Sequence, residues 1–428
     1  MKTKKMNEKH VVLILCCFMF MNMISSCNKN IRMDEDFAGG LDQQIPVLGW
    51  HGLPASGEYA GEVYYREMAD AGFTINLPLG GWSDSEAETY FTLLDRAQSV
   101  GIKIMINWEV VNFFTPGEMT RLKDHPAVAG YTIRDEPSAG DFENLAAIVR
   151  KIQAIDTVHP CYINLFPNYA SEQALGVSGP NAYRRHVRKF IDEVPVPMVS
   201  FDHYCILADK DKNRSIRPEY YENLEIIADE SRKAGKPFWA FALSTAHWDY
   251  PVPTLSDLRL QVYSDLAYGA QCIQYFTWLD PCCDPMWGEG ADDNAPIRID
   301  GSKSSIYYTV QSMNREIKAL SKVFLNSKAL WTAHTGSVPK GCKNLDTALL
   351  PKQVKSLEIS DPGALVSMLE RGKDLFVVIV NHDVNSDVTV RVKGGAGLRM
   401  VSKVGKIIDV IEEQTLSPGD VTILFAKK

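Results

Sequence analysis

The chain has 428 residues, 45% of them hydrophobic and 23% charged, with a formal net charge of −8 at pH 7. That length exceeds what one hydrophobic core usually supports, so a large domain with a smaller companion is expected. With no long basic run and no interleaving of basic and aromatic residues, the composition excludes a surface built to track a phosphate backbone, and nucleic acid is not an expected partner.

Lys2, Lys4, Lys5 and Lys9 precede the apolar run Val11 to Phe20. Such a run suits the core of an export signal and falls short of the roughly 20 apolar residues that cross a bilayer as a helix. It ends in Ile24-Ser25-Ser26-Cys27, which resembles the lipobox of bacterial lipoproteins. The resemblance implies that residues 1–26 are a signal peptide and that Cys27 carries a lipid, holding the chain to a membrane of the cell envelope by that lipid alone. A plain secretory cleavage site and an uncleaved anchor are the competing readings. Residues 27–44 then form a polar tether, solvated by Asp34, Glu35 and Asp36. Apart from Cys16, Cys17 and Cys27, six cysteines remain, without metal-type spacing. Cys161, Cys205 and Cys272 sit in apolar runs and read as small buried hydrophobes. The adjacent Cys282 and Cys283 either close a strained vicinal disulfide or stay reduced.

From Ile45 onward, short apolar runs alternate with amphipathic stretches, the pattern of parallel strands joined by helices. The runs are Ile45 to Trp50, Phe73 to Leu79, Ile102 to Trp108, Val128 to Ile133, Cys161 to Phe166, Met198 to Tyr204, Phe238 to Leu243 and Cys272 to Trp278. Pro218 to Ala234 is a helix stopped by Gly235, and Thr254 opens another that stops at Gly269. Eight such units over residues 45–326 match a (β/α)8 TIM barrel. A doubly wound open sheet competes, but no run is followed by the glycine fingerprint of its dinucleotide-binding form. Past Leu325 the period becomes alternating: Ala364 to Leu369, Leu375 to Val380, Val388 to Val392 and Val421 to Phe425 predict an antiparallel β-sandwich over residues 327–428.

In such a barrel the reactive groups gather at the C-terminal ends of the strands. Those ends carry Trp50, His51, Asn76, Trp82, Trp108, Glu109, Asp135, Glu136, Asn164, Asp202, His203, Tyr204, Ser244, His247, Trp248, Trp278 and Asp280. Six of the eight tryptophans, Trp287 included, fall on this rim, whereas Trp239 and Trp331 do not. Flat indole faces suit the apolar face of a pyranose ring, so a sugar cleft is the collective reading, although each tryptophan taken singly is better explained by burial between loop and helix. His51, His203 and His247 lie on different strands without metal spacing, and no metal or cofactor is expected.

The fourth run, Gly130-Tyr131-Thr132-Ile133-Arg134-Asp135-Glu136-Pro137, resembles the GYxxxDEP segment of bacterial barrel proteins related to clan A glycoside hydrolases, in particular their beta-galactosidase-like members. The resemblance covers residues 45–325 and implies that Glu136 is the general acid/base, that Trp278 floors the sugar subsite, and that Asp135 stands where the clan usually has a sugar-contacting asparagine. It breaks at the seventh run, which ends Ala242-Leu243-Ser244 without the clan's nucleophilic glutamate. A second carboxyl group must then come from elsewhere; Asp202 is the first choice, with Glu109 and Asp280 in reserve. Trp50, His51, Asn76, Trp108, Glu109, Asp135, Asn164, Tyr204, Trp248, Trp278 and Asp280 are the expected carbohydrate contacts. Glu136 must also hold a proton near neutral pH, which requires burial or a neighbouring negative charge. The vacant seventh position leaves open a surface glycan-binding protein with a degenerate barrel. Arg134 and Arg259 leave open a lyase acting on uronic acids.

Overall fold

Strands that are apolar on both faces are stable only when both faces are covered, which is what a closed barrel wrapped by helices achieves. The computed structural model describes residues 44–78, 87–280 and 295–428. Cys27 with the signal and tether segments, Trp82, Trp287 and the Cys282-Cys283 pair lie outside the described residues.

Eight parallel strands close into a barrel: β1 (Val47–Gly52), β2 (Ile75–Pro78), β3 (Lys103–Asn107), β4 (Val128–Asp135), β5 (Cys161–Leu165), β6 (Val199–Phe201), β7 (Phe238–Leu243) and β8 (Ile273–Phe276). Each neighbours the next in chain order, and β8 returns to β1 with Ile273 opposite Val47. The helices between them are α1 (Glu62–Asp70), α2 (Ala87–Ser99), α3 (Pro116–Lys123), α4 (Phe142–Gln153), α5 (Ala182–Glu193), α6 (Tyr220–Ala234), α7 (Leu255–Tyr268) and α8 (Ser305–Phe324). Their ends follow from sequence chemistry. Thr254 and Asp257 form a reciprocal capping box at the start of α7, a device whose loss costs about 1 kcal/mol. Gly235 and Gly269 end α6 and α7 in the left-handed conformation, with φ of 66° and 105°, where a side chain is disfavoured.

Inside the barrel Leu48, Leu77, Met105, Tyr162 and Cys272 form a buried layer. Cys161, Cys205 and Cys272 are buried free thiols. The fourth strand runs two residues beyond its apolar stretch, because Arg134 and Asp135 still pair with Ile163 and Asn164 of β5; the ladder uses backbone groups and is indifferent to side-chain charge. The sixth is shorter than its apolar run, leaving the ladder at Asp202.

The C-terminal region is an antiparallel β-sandwich. Six strands pair in the order β9 (Lys328–His334), β11 (Ala364–Arg371), β12 (Asp374–Asn381), β17 (Val421–Lys427), β14 (Arg399–Val401) and β15 (Ile407–Ile408). A smaller sheet pairs β10 (Val354–Ile359), β13 (Val388–Gly394) and β16 (Glu413–Leu416). Alternation decides which face each residue serves. Val366, Ile379, Val390 and Leu424 meet in the core between the sheets, whereas Ser367 faces the barrel, donating to the Ala267 carbonyl of α7 at 2.6 Å. Residues 44–428 thus form one compact unit.

Candidate active site

The C-terminal ends of β1 to β4 border a cavity of about 400 Å³, lined among others by Trp50, His51, Asn107, Glu109, Arg134 and Asp135. Its volume lies in the range of small-ligand sites.

The end of β4 is irregular in a way that matters. Its register against β5 shifts between Thr132 and Arg134, so Asp135 rather than Arg134 is opposite Asn164. Glu136 follows with φ of 45°, a left-handed conformation that costs a non-glycine residue on the order of 1–3 kcal/mol and tends to be retained at functional sites. Its N–H still donates to the Asn164 carbonyl at 2.9 Å. The turned backbone breaks the strict in-and-out alternation of a strand, and the two acids feel one another. The Glu136 carboxyl is pushed from its ordinary value to about 7, first by burial and then by the charge of Asp135. Asp135 lines the bowl and is itself raised, because the surrounding walls strip part of its hydration, against the hydrogen bond it accepts from Asn164. Asp202, 8% exposed, is raised well above the carboxylate range by burial, then by Glu136 and Asp135. Three carboxyl groups are therefore near enough that the charge of one opposes ionisation of another.

Asn164 ties two of them. Its Nδ2 donates to Asp202 Oδ1 at 2.9 Å and to Asp135 Oδ1 at 3.2 Å. Ser200 Oγ lies 2.9 Å from Asn164 Oδ1, and behind it stand Gln274 and Tyr162. Sequence reasoning missed these last three. The signal was present: each is a polar or hydroxylated residue two positions before a residue at a strand end, the offset that returns to the same face of a strand. Tyr162 precedes Asn164 in this way, Ser200 precedes Asp202 and Gln274 precedes Phe276.

Several expected contacts are not in the bowl. Trp278 is fully buried, its indole 4.9 Å from Phe73 and 5.8 Å from Tyr307 by ring centroids. The chain leaves β8 after Phe276, and it is Phe276 that packs on His51 and Tyr204. Trp108 is buried against Tyr131, with the Lys151 ammonium of α4 over its ring, on the helix side of the barrel. Asn76 is fully buried, its side chain bonded to both backbone groups of Leu53. All three fill packing sites under the loops, which a rim position in sequence does not distinguish from an open face.

Others sit at the mouth. Trp50 lines the bowl and packs on Tyr162 and Phe241. Tyr204 joins an aromatic cluster with Phe241, Tyr250 and Phe276. Trp248 is 67% exposed, with φ of 48°, and its ring meets His247. Glu109 is exposed, its N–H capped by Asn107. Asp280 is half-buried, its N–H on the Ile297 carbonyl. At the end of β7, Ser244 and Thr245 are fully buried and bond Thr277. His203, with both ring nitrogens unpartnered and buried, is pushed down to about 3 by that burial. Arg259 is held by Glu316 on α8 at 3.0 Å, which removes it from the bowl. Among the described residues no three His, Cys, Asp or Glu are grouped to hold a metal.

No protein-family model and no curated protein matches the chain. Among solved structures it is similar to the beta-galactosidase of Bacillus circulans sp. alkalophilus, with a TM-score of 0.50 and 9% identity over 90% of this chain and 99% of that one. It is also similar to the alpha-L-arabinofuranosidase of Thermotoga maritima, with a TM-score of 0.48 and 11% identity over 90% and 97%. The beta-galactosidase of the psychrophilic Marinomonas ef1 gives a TM-score of 0.44 and 13% identity over 66% of this chain, which spans 61% of that longer protein. At such identities the likeness is one of fold: the chain has the eight-stranded barrel that these glycoside hydrolases also have.

Proposed function

We propose that the protein hydrolyses a glycosidic bond in a poly- or oligosaccharide at the cell envelope, with Glu136 donating the proton to the departing oxygen. One observation carries the reading: a carboxyl group raised to about 7, in strained backbone, beside a bowl of about 400 Å³. An acid so placed is about half protonated at neutral pH, the condition for efficient proton donation. The second carboxyl group comes from the pair bridged by Asn164. Asp202, the first choice from sequence, is buried and favours holding its proton. Asp135 faces the bowl and is exposed, so it is the member able to take a proton from the water that attacks the anomeric carbon as the glycosidic C–O bond breaks. Trp50 and Trp248 offer ring faces to the sugar, and Cys27 is the proposed point of lipid attachment.

Ser244 and Thr245 at the end of β7, turned into internal hydrogen bonds, favour one alternative: a glycan-binding protein that holds the same ligand without turning it over. The lyase reading keeps only Arg134, at the bowl, since Arg259 is engaged by Glu316. A panel of neutral and uronate-containing glycans, assayed with the wild type and Glu136→Gln, separates the readings. Turnover by the wild type that disappears in the variant supports hydrolysis; binding without turnover in both supports the alternative. Labelling with a radioactive fatty acid, lost on Cys27→Ala, tests the anchor.

A further inference from the structure

We infer that Asn164 is a positioning residue: fixed by a hydrogen-bond relay inside the barrel, its amide keeps Asp135 charged beside Glu136 and so sustains the protonated form of that acid. The inference rests on the reading of Glu136 as the proton donor.

The relay has a direction. Tyr162 donates its hydroxyl hydrogen to Gln274 Oε1 at 2.6 Å, and Gln274 Nε2 donates to Ser200 Oγ at 2.9 Å. Ser200 has a single hydrogen to give. Its two acceptors are Asn164 Oδ1 at 2.9 Å and Tyr162 Oη at 3.1 Å, and the first is the shorter. All four residues are at most 2% exposed, so bulk water does not compete. With Oδ1 occupied in this way, the amide nitrogen is left facing Asp135 and Asp202 and supplies one hydrogen to each. The reversed amide would set its oxygen against two carboxyl groups.

A donated hydrogen favours the ionised form of the carboxylate that accepts it. Asp202 is buried and keeps a proton, accepting through its other oxygen; Asp135, open to the bowl, keeps the charge. That charge is the neighbour that raises Glu136. Tyr162 of β5, Tyr169 between β5 and α5, Tyr183 of α5 and Tyr204 after β6 all lie within electrostatic reach of Asp202. Arg134 and Glu109 border the bowl, and Arg217 stacks on Tyr169. Of these groups, Asn164 is the one that donates to both aspartates. With both ends of its amide engaged, it has no hydrogen to spare for a sugar, which replaces the substrate-binding role expected from sequence.

The test uses the whole protein labelled with ¹³C at Asp and Glu carboxyl carbons, with Glu136 and Asp135 assigned by the signals lost in Glu136→Gln and Asp135→Asn. Asn164→Ala and Ser200→Ala are expected to lower the Glu136 midpoint by about one pH unit and to raise that of Asp135. Ser200→Thr, which keeps the hydroxyl, restores it. An unmoved Glu136 midpoint in a variant that melts cooperatively overturns the inference; if Asn164→Ala fails to fold, the Ser200 variants decide. Should the midpoint move as expected while the wild type cleaves no glycan, the proton placement stands and the hydrolase reading fails. Cleavage that needs Glu136, with an immobile midpoint, sinks the placement alone.

Discussion

The main-chain N–H of Glu136 donates to the carbonyl of Asn164 at 2.9 Å, so the proposed acid is anchored to β5 by backbone and does not depend on its own side chain for position. Glu136→Gln is therefore expected to fold normally and to bind glycan as before, while turnover falls by roughly 10²–10⁴, the usual contribution of general acid–base catalysis. Initial rates and calorimetric binding on the same preparation check this. A loss of less than tenfold would remove Glu136 from the chemistry.

Asp135→Asn takes away the charge that helps to hold the Glu136 proton. Because Glu136 acts in its protonated form, wild-type activity declines as pH rises through about 7. The variant also lacks the proposed base and is expected to turn over little, so the shift is read in the ¹³C midpoint of Glu136, which falls below that of the wild type. A midpoint that stays in place assigns the raised value to burial alone.

Stability carries the same signature with a definite sign. A carboxyl whose value is raised on folding stabilises the native state while it is protonated, below its unfolded value near 4.5, and that contribution is lost as pH rises through about 7. Glu136→Gln, which cannot ionise, should then be more stable than the wild type above neutral pH, by about 1–3 kcal/mol, with little difference in acid. Thermal melts at acid and alkaline pH give the comparison, and a difference independent of pH contradicts it.

The two rim tryptophans should separate cleanly. Trp278→Ala empties a fully buried site and is expected to cost about 3–5 kcal/mol. Trp248→Ala alters a ring that is 67% exposed, leaves stability nearly unchanged and weakens glycan binding several-fold. Chemical denaturation and binding isotherms distinguish the two effects, and strong glycan dependence on Trp278 with unaltered stability would reverse the assignment.

Arg259→Met leaves Glu316 partly buried and deprived of its charge partner, keeping the Tyr263 hydroxyl at 2.6 Å. A loss of roughly 3 kcal/mol is expected, with no change in preference between neutral and uronate-containing glycans. Arg134→Ala, at the bowl, should do the opposite. Melting temperatures alongside a two-glycan competition assay report both.

Much of the architecture was legible without coordinates. The alternation of apolar runs with capped helices, Thr254 with Asp257 at one end of α7 and Gly269 at the other, specifies parallel strands and helices through local chemistry, and the period of Val388 to Val392 specifies a half-buried strand. Strand order around the barrel then places Glu136, Asp202 and Asn164 at one mouth. What local chemistry could not decide was which way side chains face once the chain leaves the ladder. Trp278 and Phe276 differ by two positions, yet one is buried against Phe73 and Tyr307 and the other packs on His51 and Tyr204, because the loop after β8 ends the alternation. Asp135 stands opposite Asn164 because of a register shift, and Glu136 leaves the strand through a positive φ, neither of which periodicity encodes. The bridge from Asn164 to two aspartates joins β4, β5 and β6, and contacts among residues so far apart along the chain exist only once the barrel has closed.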